Sequence, residues 1–341
     1  NNKDLNIYFF SNFNTLFSFS PRLPKPGETL IGTKYEIKYG GKGANQCIAA
    51  AKLGAATAIV ASLGSDTYAQ EYLKIFKEEN IDVSHVQIQP NQHSGIAHIT
   101  FYKLIVLGSN ALMSSNFVDS ATNMIKNASI LLCQFEVPQE ITLRALKIHK
   151  GLSIVNGAPA TENVHPDLWK LCDIFCVNEI EAEFMSGVQL QGPSSIQQAV
   201  EKFLDKGCNI VIITLGEQGA VYASQSDRVI KKVCTSHVQP VDTTVRSMIL
   251  FGAGDAFLGA LAYFKAYHPA LSMDECIRRA CVVATDSVLK FGTHASFPNR
   301  SNNVFNIPPG KTIGKCKRRC GNGRLRELME NRCDQNRSFF M

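Results

Sequence analysis

No apolar run in the sequence is long enough to cross a membrane. No glycine cluster has the Gly-x-x-x-x-Gly-Lys-Ser/Thr form of a P-loop. No Gly-x-Gly-x-x-Gly is followed by a ribose-binding acid, which excludes a dinucleotide fingerprint. Internal repeats and low-complexity linkers are absent too. Charged side chains are few, 19% of 341 residues against 45% hydrophobic, which argues against global disorder. That much apolar chain suffices for one large α/β domain or two small ones. The run Ile7-Tyr8-Phe9-Phe10 is too short for a signal-peptide core and reads as a first, buried strand. The sequence begins at Asn1 rather than Met, so its natural start is expected to lie upstream.

The net charge of +6 is local. Residues 311–341 hold nine Lys/Arg and three Asp/Glu, the whole of the excess, so residues 1–310 are formally neutral. A neutral body offers no nucleic-acid surface. The tail beyond Pro308-Pro309-Gly310 reads as solvated and poorly ordered, with Lys315-Cys316-Lys317-Arg318-Arg319-Cys320 a candidate localisation patch. The eleven cysteines, odd in number, mostly sit among apolar residues, as at Cys47, Cys133, Cys208 and Cys281. Reduced, buried thiols are expected, in keeping with a cytoplasmic protein, with the nucleus a second location if the basic patch acts as a signal. Cys172 and Cys176 stand four apart, without the second ligand pair a metal site needs.

From residue 41 to about 300, helix-like and strand-like stretches alternate. Helices are expected over 45–53, 66–79, 138–149, 196–206, 254–266 and 273–289. Strands are expected over 56–63, 130–134, 152–155, 174–177 and 210–214. This alternation argues for a three-layer α/β fold, a mostly parallel sheet covered by helices on both faces. Two β-rich stretches, about 28–38 and 95–107, interrupt it and are expected to pair as a small β-sheet lid. The domain is expected to span residues 1–307 and the tail 308–341.

Two glycine-rich segments some 200 residues apart carry the strongest chemical signal: Gly40-Gly41-Lys42-Gly43-Ala44-Asn45 and Gly252-Ala253-Gly254-Asp255-Ala256-Phe257. Each precedes a helix. Small residues at a helix N-terminus let backbone N–H groups approach a phosphate, the place where charge develops in phosphoryl transfer. Asp255, in the first turn, is either a helix cap or a base for a substrate hydroxyl. The first segment is either a tight helix–strand turn or a polyol site built on Asn45 and backbone amides. Together, in this order, the segments suggest a kinase for a small sugar.

Asn178-Glu179-Ile180-Glu181 follows a strand, where parallel sheets open their ligand crevice. It reads as helix capping or as an amide and carboxylate that hold Mg²⁺ through water. Thr214-Leu215-Gly216-Glu217-Gln218-Gly219 reads as a plain strand–turn–strand or as a flat wall for adenine.

These segments, with Arg22-Leu23-Pro24-Lys25-Pro26-Gly27-Glu28-Thr29, resemble the ribokinase-like carbohydrate kinases over residues 5 to 305. The resemblance implies ATP-dependent phosphorylation of D-ribose at its 5-hydroxyl, with Mg²⁺ and activation by K⁺. It implies that Asp255 is the base and that the amides of Gly252, Ala253 and Gly254 form the anion hole. The ribose contacts it implies are Gly41, Lys42, Gly43, Ala44, Asn45 and Glu136. For the Mg²⁺–phosphate site it implies Asn178 and Glu181. For the adenosine wall it implies Thr214, Leu215, Gly216, Glu217, Gln218 and Gly219, with Gly254 beside the phosphates. Asp242, Thr244, Ser287, Lys290, Gly292 and Ser296 fall where the family binds K⁺. A homodimer through the lid is implied as well.

Four departures stand against that pattern. Thr15 replaces the family's sugar-binding Asp, with Asn14 as the nearest substitute. A lost charged partner costs about 1.5–3 kcal/mol of affinity. The segment between Thr100 and Gly108 is about six residues short of the family's lid hairpin, a comparison that rests on the resemblance. Gly157 stands where the family usually has Pro. Residues 245–251, Val-Arg-Ser-Met-Ile-Leu-Phe, separate Val241-Asp242-Thr243-Thr244 from the anion hole and lack loop composition. These departures keep open a non-catalytic descendant that binds sugar or nucleotide, or a kinase for another sugar or a nucleoside.

Overall fold

The structure, a computed structural model, describes residues 6–300 except 11–12, 20–21, 23–24, 26, 32–33, 100–102, 235–251 and 290–293. The tail, the insertion 245–251 and the positions Asp242, Thr244, Lys290 and Gly292 lie outside the described residues.

The strands are β1 Asn6–Phe10, β2 Phe13–Phe19, β3 Lys34–Gly40, β4 Ala56–Gly64, β5 Asp82–Gln89, β6 Ile96–Ile99, β7 Lys103–Val106, β8 Ile130–Cys133, β9 Leu152–Asn156, β10 Ile174–Asn178, β11 Ile210–Thr214, β12 Ala220–Ser224 and β13 Lys231–Val233. The helices are α1 Lys42–Lys52, α2 Thr67–Glu78, α3 Ser115–Ser120, α4 Thr122–Asn127, α5 Gln139–Ile148, α6 Pro166–Leu171, α7 Glu179–Ser186, α8 Pro193–Asp205, α9 Ala253–Tyr267 and α10 Met273–Ser287.

Nine strands form one sheet in the order β13-β12-β11-β10-β9-β8-β1-β4-β5. All pairings from β5 to β11 are parallel, and β12 and β13 add an antiparallel edge. The inner strands read as continuous apolar runs because both faces are covered. Period-two alternation divides them. Ile59, Ile130, Leu132, Ile174, Cys176 and Ile212 face a core shared with α1, α2, α9 and α10. Val60, Leu131, Cys133, Phe175, Val177, Val211 and Ile213 face the other, which includes Ile141 and Leu146 of α5, Trp169 of α6 and Phe203 of α8. The three-layer architecture expected from the sequence is therefore observed.

The second sheet has the order β3-β2-β6-β7. The two outlying β-rich stretches do share a sheet, but they do not pair with each other. β2, leaving the carboxyl end of β1, lies between them, antiparallel to β3 and parallel to β6. The strands are also narrower than the stretches: β3 begins only at Lys34 and runs on to Gly40. Asn14 and Thr15 are in register with Tyr39 and Lys38 on one side and Ile96 and Ala97 on the other.

The eight described cysteines are free, seven of them buried. Cys172 caps the end of α6 and Cys176 lies in β10, so their spacing is not that of one helix face. Among the described residues no helix is long and apolar enough to cross a membrane.

Candidate active site

The parallel strands end along one edge of the sheet, and from β8 to β11 polar residues stand at or just beyond their ends. Thr214 ends β11, Asn178 ends β10, Asn156 ends β9, and Gln134 follows β8. Asn178 is in register with Thr214, and Asn156 with Cys176. The row therefore crosses three strand spacings, about 15 Å. The crevice beyond such an edge is where ligands bind in open α/β sheets.

The two glycine-rich segments meet over this row because α1 packs against α9 through small residues. A Cβ at Gly259 would sit 2.5 Å from the Gln46 carbonyl and 2.6 Å from Ala49 Cβ. Only glycine lets these backbones approach that closely. Ala44, Ala49, Ala50, Ala256 and Ala260 extend the small-residue contact. Upstream of α1, Gly41 has φ +85°, a left-handed conformation suited to glycine. The Tyr72 hydroxyl accepts from the Gly40 N–H at 2.7 Å and donates to its carbonyl at 2.6 Å, fixing the end of the lid strand to α2.

Asp255 is nearly buried, 9% exposed, in the first turn of α9. Its Oδ2 accepts from Asn45 Nδ2 and its Oδ1 from Gln46 Nε2, both at 2.9 Å. Both carboxylate oxygens thus hold side-chain amides of α1. The helix is capped by Gly252, whose φ of +96° places it in the left-handed region. The Gly252–Gly254 backbone occupies the helix N-terminus, where N–H groups lack intrahelical partners. Gly254 is exposed, and a Cβ there would meet nothing within 4 Å. Asn45 Oδ1 is buried without a hydrogen-bond partner among the described residues, an acceptor suited to a ligand hydroxyl.

Glu136 is buried and its Oε2 accepts the Lys42 backbone N–H at 2.8 Å, so it anchors the first turn of α1. Gly43 and Ala44 follow in that turn, buried. Burial alone would lower the Lys42 ammonium pKa; the charges of Asp255, Glu181 and Glu136 outweigh it and the net shift is upward. The three negative charges therefore favour the protonated ammonium.

Asn178 and Glu181 form a reciprocal capping box on α7. Asn178 Oδ1 accepts from the Glu181 N–H at 2.9 Å, and Glu181 Oε2 accepts from the Asn178 N–H at 3.0 Å. The capping reading is observed, and it leaves Glu181 Oε1 for a further partner. Thr214 to Gly219 turns between β11 and the antiparallel β12. Leu215 is buried below the turn, its N–H bonded to the Gly219 carbonyl at 2.7 Å. Gly216 has φ +54° and open space where a Cβ would be, and Glu217 and Gln218 are exposed. Ser287 and Ser296 are buried, and Ser287 Oγ donates to the Ala284 carbonyl at 2.7 Å.

Gly157, a departure from the family's usual Pro, has a local reason. A Cβ there would lie 2.4 Å from the Phe175 ring, which fills that space. Gln134 and Asn156, which no sequence motif marks, join Gln46 under Asp255. Gln46 Nε2 also donates to Asn156 Oδ1 at 3.2 Å, and Gln46 Oε1 accepts from Gln134 Nε2 at 2.6 Å. The available signal was Gln46 itself, a fully buried polar residue beside the small and apolar run 47–51 of the helix. A buried amide there requires partners.

Comparison with known proteins shows the family of the chain. The pfkB family of carbohydrate kinases matches residues 8–300. The chain is 37% identical over 296 residues to a mouse (Mus musculus) ribokinase, covering 84% of this chain and 90% of the relative. It is 32% identical over 298 residues to a Salmonella typhi deoxyribokinase, covering 85% and 94%. The Arabidopsis thaliana ribokinase structure with ribose and ATP superposes with a TM-score of 0.78 at 27% identity, covering 89% of this chain and 98% of that one.

Proposed function

Because the chain belongs to the pfkB family of carbohydrate kinases, we propose that it transfers the γ-phosphoryl group of ATP to the 5-hydroxyl of D-ribose. The products are ADP and D-ribose 5-phosphate. The carrying observation is the buried Asp255 carboxylate, held by two amides beside the open Gly254 backbone. Asp255 accepts the hydroxyl proton as the sugar oxygen forms its bond to phosphorus and the bond to the ADP oxygen breaks. The N–H groups of Gly252, Ala253 and Gly254, at the positive end of α9, stabilise the charge on the transferring group.

The sugar is held by Asn14 from the lid, by Gly41, Lys42, Gly43, Ala44 and Asn45, and by Glu136. The unpartnered Asn45 Oδ1 supports that placement. Adenosine lies on residues 214–219, where Gly216 leaves space. Asn178 and Glu181 face the phosphates. Bound Mg²⁺ would supply charge neutralisation there. Glu181 Oε1, which takes no part in the capping box, fits an ion that keeps several of its waters. The proposal of K⁺ activation through Asp242, Thr244, Ser287, Lys290, Gly292 and Ser296 rests on the resemblance. A homodimer through the lid is supported by exposed Tyr35, Ile37 and Val106 on lid strands. Cytoplasmic residence, with a nuclear pool directed by the basic tail, completes the proposal.

A second reading, binding without turnover, is favoured by Thr15 and by residues 245–251. The test is ATP turnover by the purified chain with D-ribose, 2-deoxyribose or adenosine, with Mg²⁺ and K⁺, with and without residues 245–251. D-Ribose is expected to give the highest kcat/KM, and the deletion to raise it. Preference for another acceptor would reject the substrate assignment. Nucleotide binding with no turnover in either form would establish the second reading.

A further inference from the structure

A buried network lies beneath Asp255, and its members differ in what they leave unpaired. Gln46 and Gln134 are fully buried and Asn156 nearly so. The polarity of the network follows from the carboxylate. An ionised Asp255 accepts only, so the Gln46 nitrogen faces it and the Gln46 oxygen faces away. That oxygen then requires a donor, which is Gln134 Nε2. The second Gln46 proton goes to Asn156 Oδ1, whose own amide donates to the Cys176 carbonyl. Turning any one of these amides over places like atoms face to face without water, so the network has one favoured arrangement, in which Gln134 Oε1 is the atom left without a hydrogen-bond partner among the described residues.

Asn45 and Gln46 grip different oxygens of the same carboxylate, but they are not equivalent. Asn45 retains a buried, unpartnered Oδ1 and is the amide that a sugar hydroxyl engages. Gln46 is committed at both ends to the protein. We propose that Gln46 is a positioning residue for phosphoryl transfer, which fixes Oδ1 of Asp255 so that Oδ2 is the oxygen presented to the acceptor hydroxyl, with Gln134 and Asn156 orienting Gln46. This rests on Asp255 being the base. The network couples α1, β9, the end of β8 and the first turn of α9, so the direction of the base is set by the core rather than by a loop.

The test is steady-state kinetics and nucleotide binding for Gln46→Glu, Gln134→Leu and Asp255→Asn in the full chain. Gln46→Glu keeps the size of the side chain and the acceptor for Gln134 but removes the donor to Asp255. It is expected to lower kcat about 10²-fold, as a misdirected catalytic group does. The KM for ribose should stay within about threefold, a tolerance set by ordinary scatter among variants. ATP affinity should be unchanged. Gln134→Leu, which acts only through Gln46, is expected to lower kcat about tenfold with the same pattern. It decides the matter if Gln46→Glu does not fold. A loss confined to KM, or to thermal stability, would overturn the positioning role. So would kcat within twofold of the parent in Gln134→Leu while Asp255→Asn is inactive. If Asp255→Asn itself turns over normally, the base assignment fails, and the inference fails with it.

Discussion

The two ends of the crevice are built differently. At the base end, Asp255, Asn45, Gln46, Gln134 and Asn156 are buried and bonded to one another before any ligand arrives. At the end proposed for the nucleotide, Gly216, Glu217, Gln218 and Gly254 are exposed or open, and Asn178 and Glu181 cap a helix while Glu181 Oε1 stays outside the capping box. The first end is a product of core packing and the second of turns. The group that must be aimed is held by the interior, whereas backbone that need only receive a ligand is left at the surface.

The comparison is broken most severely by disturbing the crossing of α1 and α9. Gly259→Val would drive side-chain atoms into the Gln46 carbonyl, already 2.5 Å from an added Cβ. We expect a destabilisation of about 3 kcal/mol and a fall in kcat of about 10²-fold in the protein that remains folded. Thermal unfolding and steady-state kinetics check the two effects. A full kcat would mean that the base end is not set by this crossing.

A milder change should sharpen the contrast. Gly216→Val places a β-branched residue at φ +54° on an exposed turn, with no neighbour to clash with. The KM for ATP should rise about tenfold, equivalent to about 1.4 kcal/mol, while the KM for ribose stays constant. Equal shifts in both would mean that the two ends are not separable.

The fold was legible because its inner strands are short apolar runs and its helices carry ordinary signals. Asp66, for example, caps α2 by accepting the Ala69 N–H at 3.0 Å. The lid strand β2 was not read as a strand. Phe13-Asn14-Thr15-Leu16 follows β1 after two residues, and its alternation is too short to separate from its neighbour. The two glycine-rich segments were legible through their glycines, which mark places where backbones must approach closely. The amide network was not: Gln134 and Asn156 lie 88 and 110 residues from Gln46. No periodicity links them, and only the sheet edge brings them together. Gly157 looked like a lost feature in the sequence, whereas the Phe175 ring accounts for it in space.

The central claim is that the base end performs the chemistry and the nucleotide end holds ATP. The most direct test is Asp255→Asn, assayed in parallel for ribose-dependent ADP release and for ATP binding by calorimetry. The account predicts a loss of kcat of about 10³-fold or more, within the range of general-base catalysis, with ATP affinity within twofold of the parent chain. Substantial turnover in the variant, or equal loss of turnover and of ATP binding, would contradict it.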